Sequence, residues 1–210
     1  MPDDYRVAVL VSGTGTNLQA ILDRVHADPD SNVSVVLVVA SKDDVPALGR
    51  ATAAGVETAV VGMGGRERAE RDAELADVVA GARPDLVVLA GWMSIVTNVF
   101  LDRFPDRVIN LHPSLLPAFP GMNSIEDAYE WGVRVTGVTV HFAEEHVDAG
   151  PPILQATTPV LYADSPDDLR AKVRELEHDL LPRAIRAFAR GGVTRHSDNP
   201  RRIEVVEEDE

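Results

Sequence analysis

The chain has 210 residues, contains no cysteine and carries a formal net charge of −14 at pH 7. That length fits a single domain, and the lack of cysteine excludes disulfide bridges, thiolate metal sites and a thiol nucleophile. The acidity excludes a uniformly basic nucleic-acid binder. No signal-peptide pattern opens the chain, and no apolar run reaches the ~18 residues of a membrane span. We therefore expect a soluble, cytoplasmic protein.

The first half of the chain alternates short apolar runs with helical patterns. The runs lack polar alternation, which is typical of strands buried on both faces of a parallel sheet. The helical segments place apolar residues at i, i+3, i+4 and i+7. Strands are predicted at 7–11, 33–39, 57–61, 85–90 and 107–111, and helices at 18–25, 46–54 and 66–82. This order predicts an α/β fold with a doubly wound, mostly parallel sheet.

The second half has a different pattern. Residues 133–142 alternate with β-branched side chains, and 152–160 form another extended stretch. These two segments are able to pair, so we expect antiparallel additions to the sheet in the C-terminal half. A long helix is predicted from Ser165, a capping residue followed by Pro166, to about residue 190.

The segment after Gly192 has few large apolar residues and ends in the acidic stretch 204–210. We expect at most one strand fragment there, followed by disorder. The predicted organisation is therefore one domain over 1–192 and an acidic, flexible tail over 193–210. Deleting 201–210 is expected to leave kcat/KM within about twofold, because exposed tails are rarely tied down.

A glycine-rich loop, Ser-Gly-Thr-Gly-Thr-Asn over 12–17, joins the first strand to the first helix. Ligands of doubly wound sheets bind beyond the carboxyl ends of the strands, and free N–H groups at a helix start favour an anion. Leu18 breaks the dinucleotide fingerprint, and no Lys-Ser/Thr follows as in a Walker loop. Two interpretations remain open from these residues alone, a structural turn and a monophosphate cradle.

Asn110 and His112 follow one another on one face of the fifth predicted strand. An Asn amide can donate to an oxyanion, and a His can move a proton at neutral pH. This pairing favours a catalytic role over a structural one. Asp148 lies in a loop that ends in Gly150 and Pro151, where a carboxylate could orient an imidazole. Judged from that segment alone, a turn-forming Asp is the better interpretation.

Other chemistries receive little support from the sequence. The histidines at 26, 112, 141, 146, 178 and 196 form no His-Glu-x-x-His motif, so no metal site is predicted. A Ser–His–Asp hydrolase is disfavoured because Gly-x-Ser-x-Gly is absent.

Six segments between residues 6 and 190 carry a resemblance to a known family. They are Val11–Ala20 (VSGTGTNLQA), Pro84–Met93 (PDLVVLAGWM), Ile109–Pro117 (INLHPSLLP), Gly137–Phe142 (GVTVHF), Val147–Pro151 (VDAGP) and Ile153–Gln155 (ILQ). Together they resemble the phosphoribosylglycinamide formyltransferases, folate-dependent enzymes of purine synthesis. The Asn-x-His-Pro segment with its downstream Asp marks all formyltetrahydrofolate-using relatives, whereas the glycine-rich loop indicates the glycinamide ribonucleotide enzyme.

The resemblance implies a Rossmann-like formyltransferase fold. It also implies the transfer of a formyl group to the amine of glycinamide ribonucleotide. The formyl donor is 10-formyltetrahydrofolate, which acts as a co-substrate, and no metal is required. The implied partners are these small molecules, and binding to nucleic acid or to a membrane is not expected. The resemblance is compatible with a homodimer. The peptide bond between Leu116 and Pro117 is expected to be cis, as in the family.

The resemblance assigns roles to particular residues. The implied catalytic residues are Asn110, His112 and Asp148. The implied contacts to the substrate are Gly15, Thr16 and Asn17 for its phosphate and Glu177 for its glycinamide end. The implied folate-binding residues are Arg68, Met93, Ser94, Ile95, Val96, Asn110, Glu144, Glu145, His146, Val147 and Asp148.

Three positions depart from the family pattern. Ser94 stands where the family usually has Arg or Lys, and 121–125 lacks the histidines of a Gly-x-His-x-His motif. Arg174 stands where many members have Gln. The first two departures remove positive charge near the anionic tail of the folate, so they bear on its affinity and not on the chemistry.

Several alternative functions remain. Methionyl-tRNA formyltransferase carries a further RNA-binding domain, for which this chain is too short and too acidic. Formyltetrahydrofolate hydrolase carries an N-terminal regulatory domain, whereas the first predicted strand starts here near residue 6. A nucleotide-sugar formyltransferase could share the catalytic residues but has no need of the phosphate loop. A non-catalytic phosphate- or folate-binding module would tolerate loss of Asn110 and His112, and a flavin or dinucleotide binder is disfavoured by the missing third glycine.

Overall fold

The protein is described by a computed structural model that covers residues 4–62 and 64–206. It consists of two units, residues 1–110 and 111–210. The predicted α/β fold, with a mostly parallel sheet and antiparallel strands in the C-terminal half, is confirmed. The division into one domain over 1–192 and a tail stays a prediction.

The first unit is built on parallel strands. They are β1 (Tyr5–Val11), β2 (Val33–Ala40), β3 (Thr58–Val60), β4 (Leu86–Leu89) and β5 (Val108–His112). Their order is β3-β2-β1-β4-β5, so the chain reverses its direction of winding beside β1. Val9 in β1 lies opposite Val38 on one side and Val88 on the other. All three side chains are fully buried, as expected for unalternating apolar runs.

The helices of the first unit follow the strands in turn. They are α1 (Thr16–Ile21), α2 (Pro46–Ala53), α3 (Arg68–Gly81) and α4 (Asn98–Leu101). A π-helical turn, Leu22–His26, continues α1. The four-residue helix α4 was not predicted, because one turn is too short to show a periodic pattern.

Strand β5 ends in Leu111 and His112, which begin the second unit. The elements of this unit after β5 are α5 (Ser124–Trp131), β6 (Val135–Phe142), β7 (Pro152–Pro159), α6 (Pro166–Ala189), β8 (Val193–Arg195) and β9 (Ile203–Val205). Strands β6 and β7 pair antiparallel, with a register shift between Val140 and His141. Helix α6 begins with a capping box formed by Ser165 and Asp168, and it packs on β6 and β7.

The C-terminal segment is more ordered than its composition indicates. Where we expected one strand fragment, β8 and β9 form an antiparallel hairpin in which Thr194 lies opposite Glu204. Strand β9 also contacts β7. Backbone pairing, which composition does not reveal, stabilises this hairpin. Residues 207–210 of the acidic stretch lie outside the described residues.

Candidate active site

Asn110 and His112 lie at the end of β5, two residues apart, so their side chains leave the strand on the same face. His112 is buried, whereas Asn110 is partly exposed. The strand thus presents an amide and an imidazole side by side at its carboxyl end, as the sequence predicted.

Both ring nitrogens of His112 face hydrogen-bond acceptors. Its Nε2 lies 2.9 Å from the carbonyl oxygen of Phe119, and its Nδ1 lies 3.3 Å from Oδ2 of Asp148. A carbonyl and a carboxylate only accept, so both contacts are satisfied together when both ring nitrogens carry a proton. The two contacts therefore fix the orientation of the His112 ring between the Phe119 carbonyl and the Asp148 carboxylate.

Asp148 is held in one position by its own backbone and by a backbone donor. Its φ of 53° is in the left-handed region, which is uncommon for a residue other than glycine. The N–H of Gly121 donates to Oδ2 of Asp148 over 2.8 Å. The structure thus brings Asp148 to His112, a contact that the local sequence around Asp148 could not predict.

His141 is a third titratable group in this cluster, and sequence reasoning missed it. Its Nε2 lies 3.7 Å from Oδ1 of Asp148, and its Nδ1 lies 2.8 Å from the carbonyl oxygen of Phe142. Burial lowers the pKa of the His141 imidazole, and the nearby His112 lowers it further. The Phe142 carbonyl and Asp148 oppose this shift without reversing it. The sequence feature that could have indicated this group is a histidine within the apolar strand β6.

The lowered pKa of His141 makes stability depend on pH. Below its ordinary pKa of 6.5, the unfolded chain binds a proton that the folded chain resists, so the free energy of unfolding falls as pH falls. His141→Asn can still donate to the Phe142 carbonyl but cannot titrate. We expect this variant to lose less stability between pH 7 and pH 5 than the parent, measured by urea unfolding. Equal losses in the two proteins would contradict the assignment.

The proline-rich loop after β5 is fixed by two polar side chains that the sequence did not single out. The hydroxyl of Thr139 donates to the carbonyl of Ser114 over 2.7 Å and accepts from the N–H of Leu116 over 3.1 Å. The amide of Gln155 donates to the carbonyl of Leu116 over 3.1 Å. The Leu116–Pro117 peptide bond is cis, as the resemblance implied.

The glycine-rich loop of the first unit packs closely against α2. Gly15 has a φ of 74°, and an added Cβ would lie 2.7 Å from Cβ of Ala47. The N–H of Ala47 donates to the carbonyl of Gly13, and Nε of Arg50 donates to the carbonyl of Thr14. The loop therefore has one defined shape, which places Thr16 and Asn17 in the first turn of α1.

Replacing Gly15 with alanine should destabilise the protein by about 1–3 kcal/mol, since it combines backbone strain with overpacking. Gly13→Ala is the matched control, because an added Cβ at Gly13 meets nothing within 4 Å. Thermal or urea unfolding of the two variants measures the difference. Equal stability of the two variants would show that the contact with Ala47 relaxes without cost.

A buried ion pair in α3 anchors the segment 93–97. Arg71 and Asp72 form this pair, and their side chains are 6% and 0% exposed. Arg71 donates to the hydroxyl of Ser94 over 2.7 Å and to the carbonyl of Ile95 over 2.8 Å. Asp72 accepts from the N–H of Thr97 over 2.6 Å. Sequence reasoning missed this pair, although Asp72 lies on the buried stripe of α3 with Leu75, Ala76 and Val79.

The other predicted site residues are divided between the two units. Arg68 is exposed at the first position of α3, and Met93 is 68% exposed, whereas Val96 is buried. In the second unit the loop residues 144–147 are exposed, and Glu177 is half-buried in α6. Their roles toward folate and substrate stay predictions.

Within residues 4–62 and 64–206, no three His, Cys, Asp or Glu side chains are grouped so that they could hold a metal ion. Across the same part of the chain, no helix is both long and apolar enough to cross a membrane.

Comparison with known proteins identifies the family to which this chain belongs. The formyl transferase family model matches residues 5–185, and the chain belongs to that family. It is 39% identical to the phosphoribosylglycinamide formyltransferase of Escherichia coli over 193 residues, which covers 91% of each protein. The resemblance found in the sequence is thereby confirmed.

Longer proteins and solved structures extend the comparison. The chain is 42% identical to the human trifunctional purine biosynthetic protein adenosine-3 over 189 residues, but it spans only 19% of that protein. Glycinamide ribonucleotide transformylase 1 from Symbiobacterium toebii superposes with a TM-score of 0.90 at 41% identity, covering 99% of this chain and 96% of that one.

Proposed function

We propose that the protein transfers the formyl group of 10-formyltetrahydrofolate to the amine of glycinamide ribonucleotide, a step of purine biosynthesis. The observation that carries the proposal is the buried pair of His112 and Asp148 at the end of the strand that also carries Asn110. The names of full-length relatives at about 40% identity support the same substrate. The cytoplasmic location and a homodimer stay predictions.

The reaction joins the substrate amine to the formyl carbon. The amine nitrogen attacks that carbon, and the carbonyl electron pair moves to oxygen to give a tetrahedral oxyanion. Asn110 and protonated His112 donate to this oxyanion, and one such donor is typically worth about 3–4 kcal/mol of barrier. The oxyanion then collapses, and the bond from the formyl carbon to the folate nitrogen breaks.

Proton transfer completes the balance of the reaction. The attacking amine must lose a proton and the leaving folate nitrogen must gain one. A water held by Asp148 can carry the proton between them, and positioned transfer of this kind contributes typically 10²–10⁴-fold in rate. Asp148 would also orient the His112 ring toward the oxyanion through its contact with Nδ1.

In the resting arrangement, the two N–H groups of His112 are already used by Asp148 and by the carbonyl of Phe119. The proposal therefore requires the formyl oxygen to replace the Phe119 carbonyl as the acceptor of the Nε2 proton. Phe119 has a φ of 50°, so the loop that supplies this carbonyl is itself strained.

Substrate binding is assigned to residues of both units. Gly15, Thr16 and Asn17 would bind the phosphate through backbone N–H groups at the start of α1, where the helix dipole favours an anion. Glu177 would contact the glycinamide end. The residues proposed for folate are Arg68, 93–96 and Asn110 in the first unit and 144–148 in the second.

The deciding experiment measures formyl transfer directly. Purified protein is mixed with 10-formyltetrahydrofolate and glycinamide ribonucleotide, and formylated product is quantified by mass spectrometry. We expect product with the ribonucleotide, and much less with glycinamide riboside, which lacks the phosphate. A reaction without any amine reports hydrolysis. Formate release that is equal with and without the ribonucleotide would contradict transfer and indicate a hydrolase.

A further inference from the structure

Asp148 lies in a turn with a strained backbone. The left-handed φ of Asp148 is strained, and such strain persists only where the surroundings enforce it. Within the turn, the N–H of Ala149 makes only a long bond of 3.3 Å to the carbonyl of His146. The next residue, Gly150, approaches the end of β6 so closely that an added Cβ would lie 1.8 Å from the carbonyl oxygen of Phe142.

An arginine from the C-terminal hairpin bonds to this turn. Both terminal nitrogens of the Arg201 guanidinium donate to the carbonyl oxygen of Ala149, each over 3.1 Å. That carbonyl belongs to the residue directly after Asp148. Hydrogen bonds from an ionised donor are stronger than neutral ones, and the two bonds together hold the Ala149 carbonyl oxygen between the two guanidinium nitrogens.

The hairpin that carries Arg201 is itself anchored near the same strand end. The Arg195 guanidinium of β8 lies 4.2 Å from the ring centroid of Phe142, the last residue of β6. The turn between β8 and β9 is set by bonds from the N–H groups of Arg201 and Arg202 to Asn199. Arg201 therefore lies in an ordered, anchored hairpin and not in a free chain end.

We propose that the β8–β9 hairpin is a positioning element for Asp148, acting through the bond from Arg201 to the Ala149 carbonyl. The inference rests on the function proposed above, because that function gives Asp148 its catalytic role. It reverses the expectation from the sequence that residues 201–210 are dispensable. Arg201 touches no reacting group, so its effect must pass through Asp148.

The test compares Arg201→Met with Arg202→Ala, a matched control at the neighbouring exposed arginine. We expect Arg201→Met to lower kcat roughly tenfold, because small misplacements of a catalytic group are costly, with both KM values within about twofold of the parent. Arg202→Ala should keep the parental kcat. Arg201→Lys should have an intermediate kcat, since it restores the charge but not the pair of guanidinium bonds.

A double-variant cycle separates positioning from a general structural role. If Arg201 acts through Asp148, Arg201→Met should cause no further loss of kcat in the Asp148→Asn background. A further tenfold loss there would overturn the proposal, because it would place the effect of Arg201 elsewhere.

A measurement on the protein without substrate tests the contact between Arg201 and the turn separately from the proposed function. Amide hydrogen exchange should accelerate at 148–150 in Arg201→Met and stay unchanged in Arg202→Ala. Unchanged exchange in Arg201→Met would overturn the inference whatever the enzyme does. Faster exchange in a protein that transfers no formyl group would support the positioning contact and contradict only the proposed function.

Discussion

Replacing His112 with alanine is expected to lower kcat by roughly 10²-fold or more, while the KM of each substrate changes little. In the proposed mechanism the side chain donates to an oxyanion that exists only in the transition state, so its removal would cost the ground-state complex little. Asn110→Ala should behave in the same way, because the proposed mechanism uses its amide as the second donor on the same face of β5.

The control for these two variants is His26→Asn. His26 accepts a hydrogen bond from the N–H of Val35, which an Asn side chain can also do, and it lies outside the proposed machinery. Initial rates over a matrix of both substrate concentrations separate kcat from KM. Near-normal kcat in both His112→Ala and Asn110→Ala would remove these residues from the mechanism.

Replacing Arg71 with methionine is expected to destabilise the protein by about 3–5 kcal/mol. The methionine fills the space of the aliphatic stem but leaves the Asp72 carboxylate buried without its cation, and an uncompensated buried charge is costly. The double variant Arg71→Met/Asp72→Asn should regain most of this loss. An Asn side chain still accepts from the N–H of Thr97 and has no charge to neutralise.

Urea unfolding measures this prediction, with Arg103→Met as the control. Arg103 pairs with Asp77 at the surface, and both side chains are about half exposed or more, so its loss should change stability little. If Arg71→Met were as mild as Arg103→Met, the buried pair would contribute little to stability, and the segment 93–97 would have another anchor.

The elements that local chemistry determines could be predicted from the sequence. The apolar runs of β1 and β2 indicated buried parallel strands, and Ser165 with Pro166 placed the start of α6 at the observed residue. Helix α5 was missed although Ile125, Ala128 and Tyr129 fall at i, i+3 and i+4, because Ser124–Trp131 spans only two turns directly after a proline-rich loop. The β8–β9 hairpin was missed because its stability comes from pairing between strands.

The candidate site was predictable only in part. Asn110 and His112 are neighbours on one strand, so the alternation of side chains was sufficient to pair them. Asp148 is distant in sequence, and only the family resemblance pointed to it. The contacts from Phe119, Gly121 and Arg201 involve backbone groups on at least one side, and such contacts leave no pattern of residue types.

The anchoring of the segment 93–97 has a consequence for how this surface can vary among relatives. Asp72 binds the N–H of Thr97, Arg71 binds the carbonyl of Ile95, and the hydroxyl of Ser12 accepts from the N–H of Met93 over 3.0 Å. These main-chain groups are the same whatever side chain the residue carries. Mutations at the exposed positions 93 and 95 can therefore change the chemistry of this surface without compensating mutations in the scaffold, so side-chain identity and loop shape are free to evolve separately.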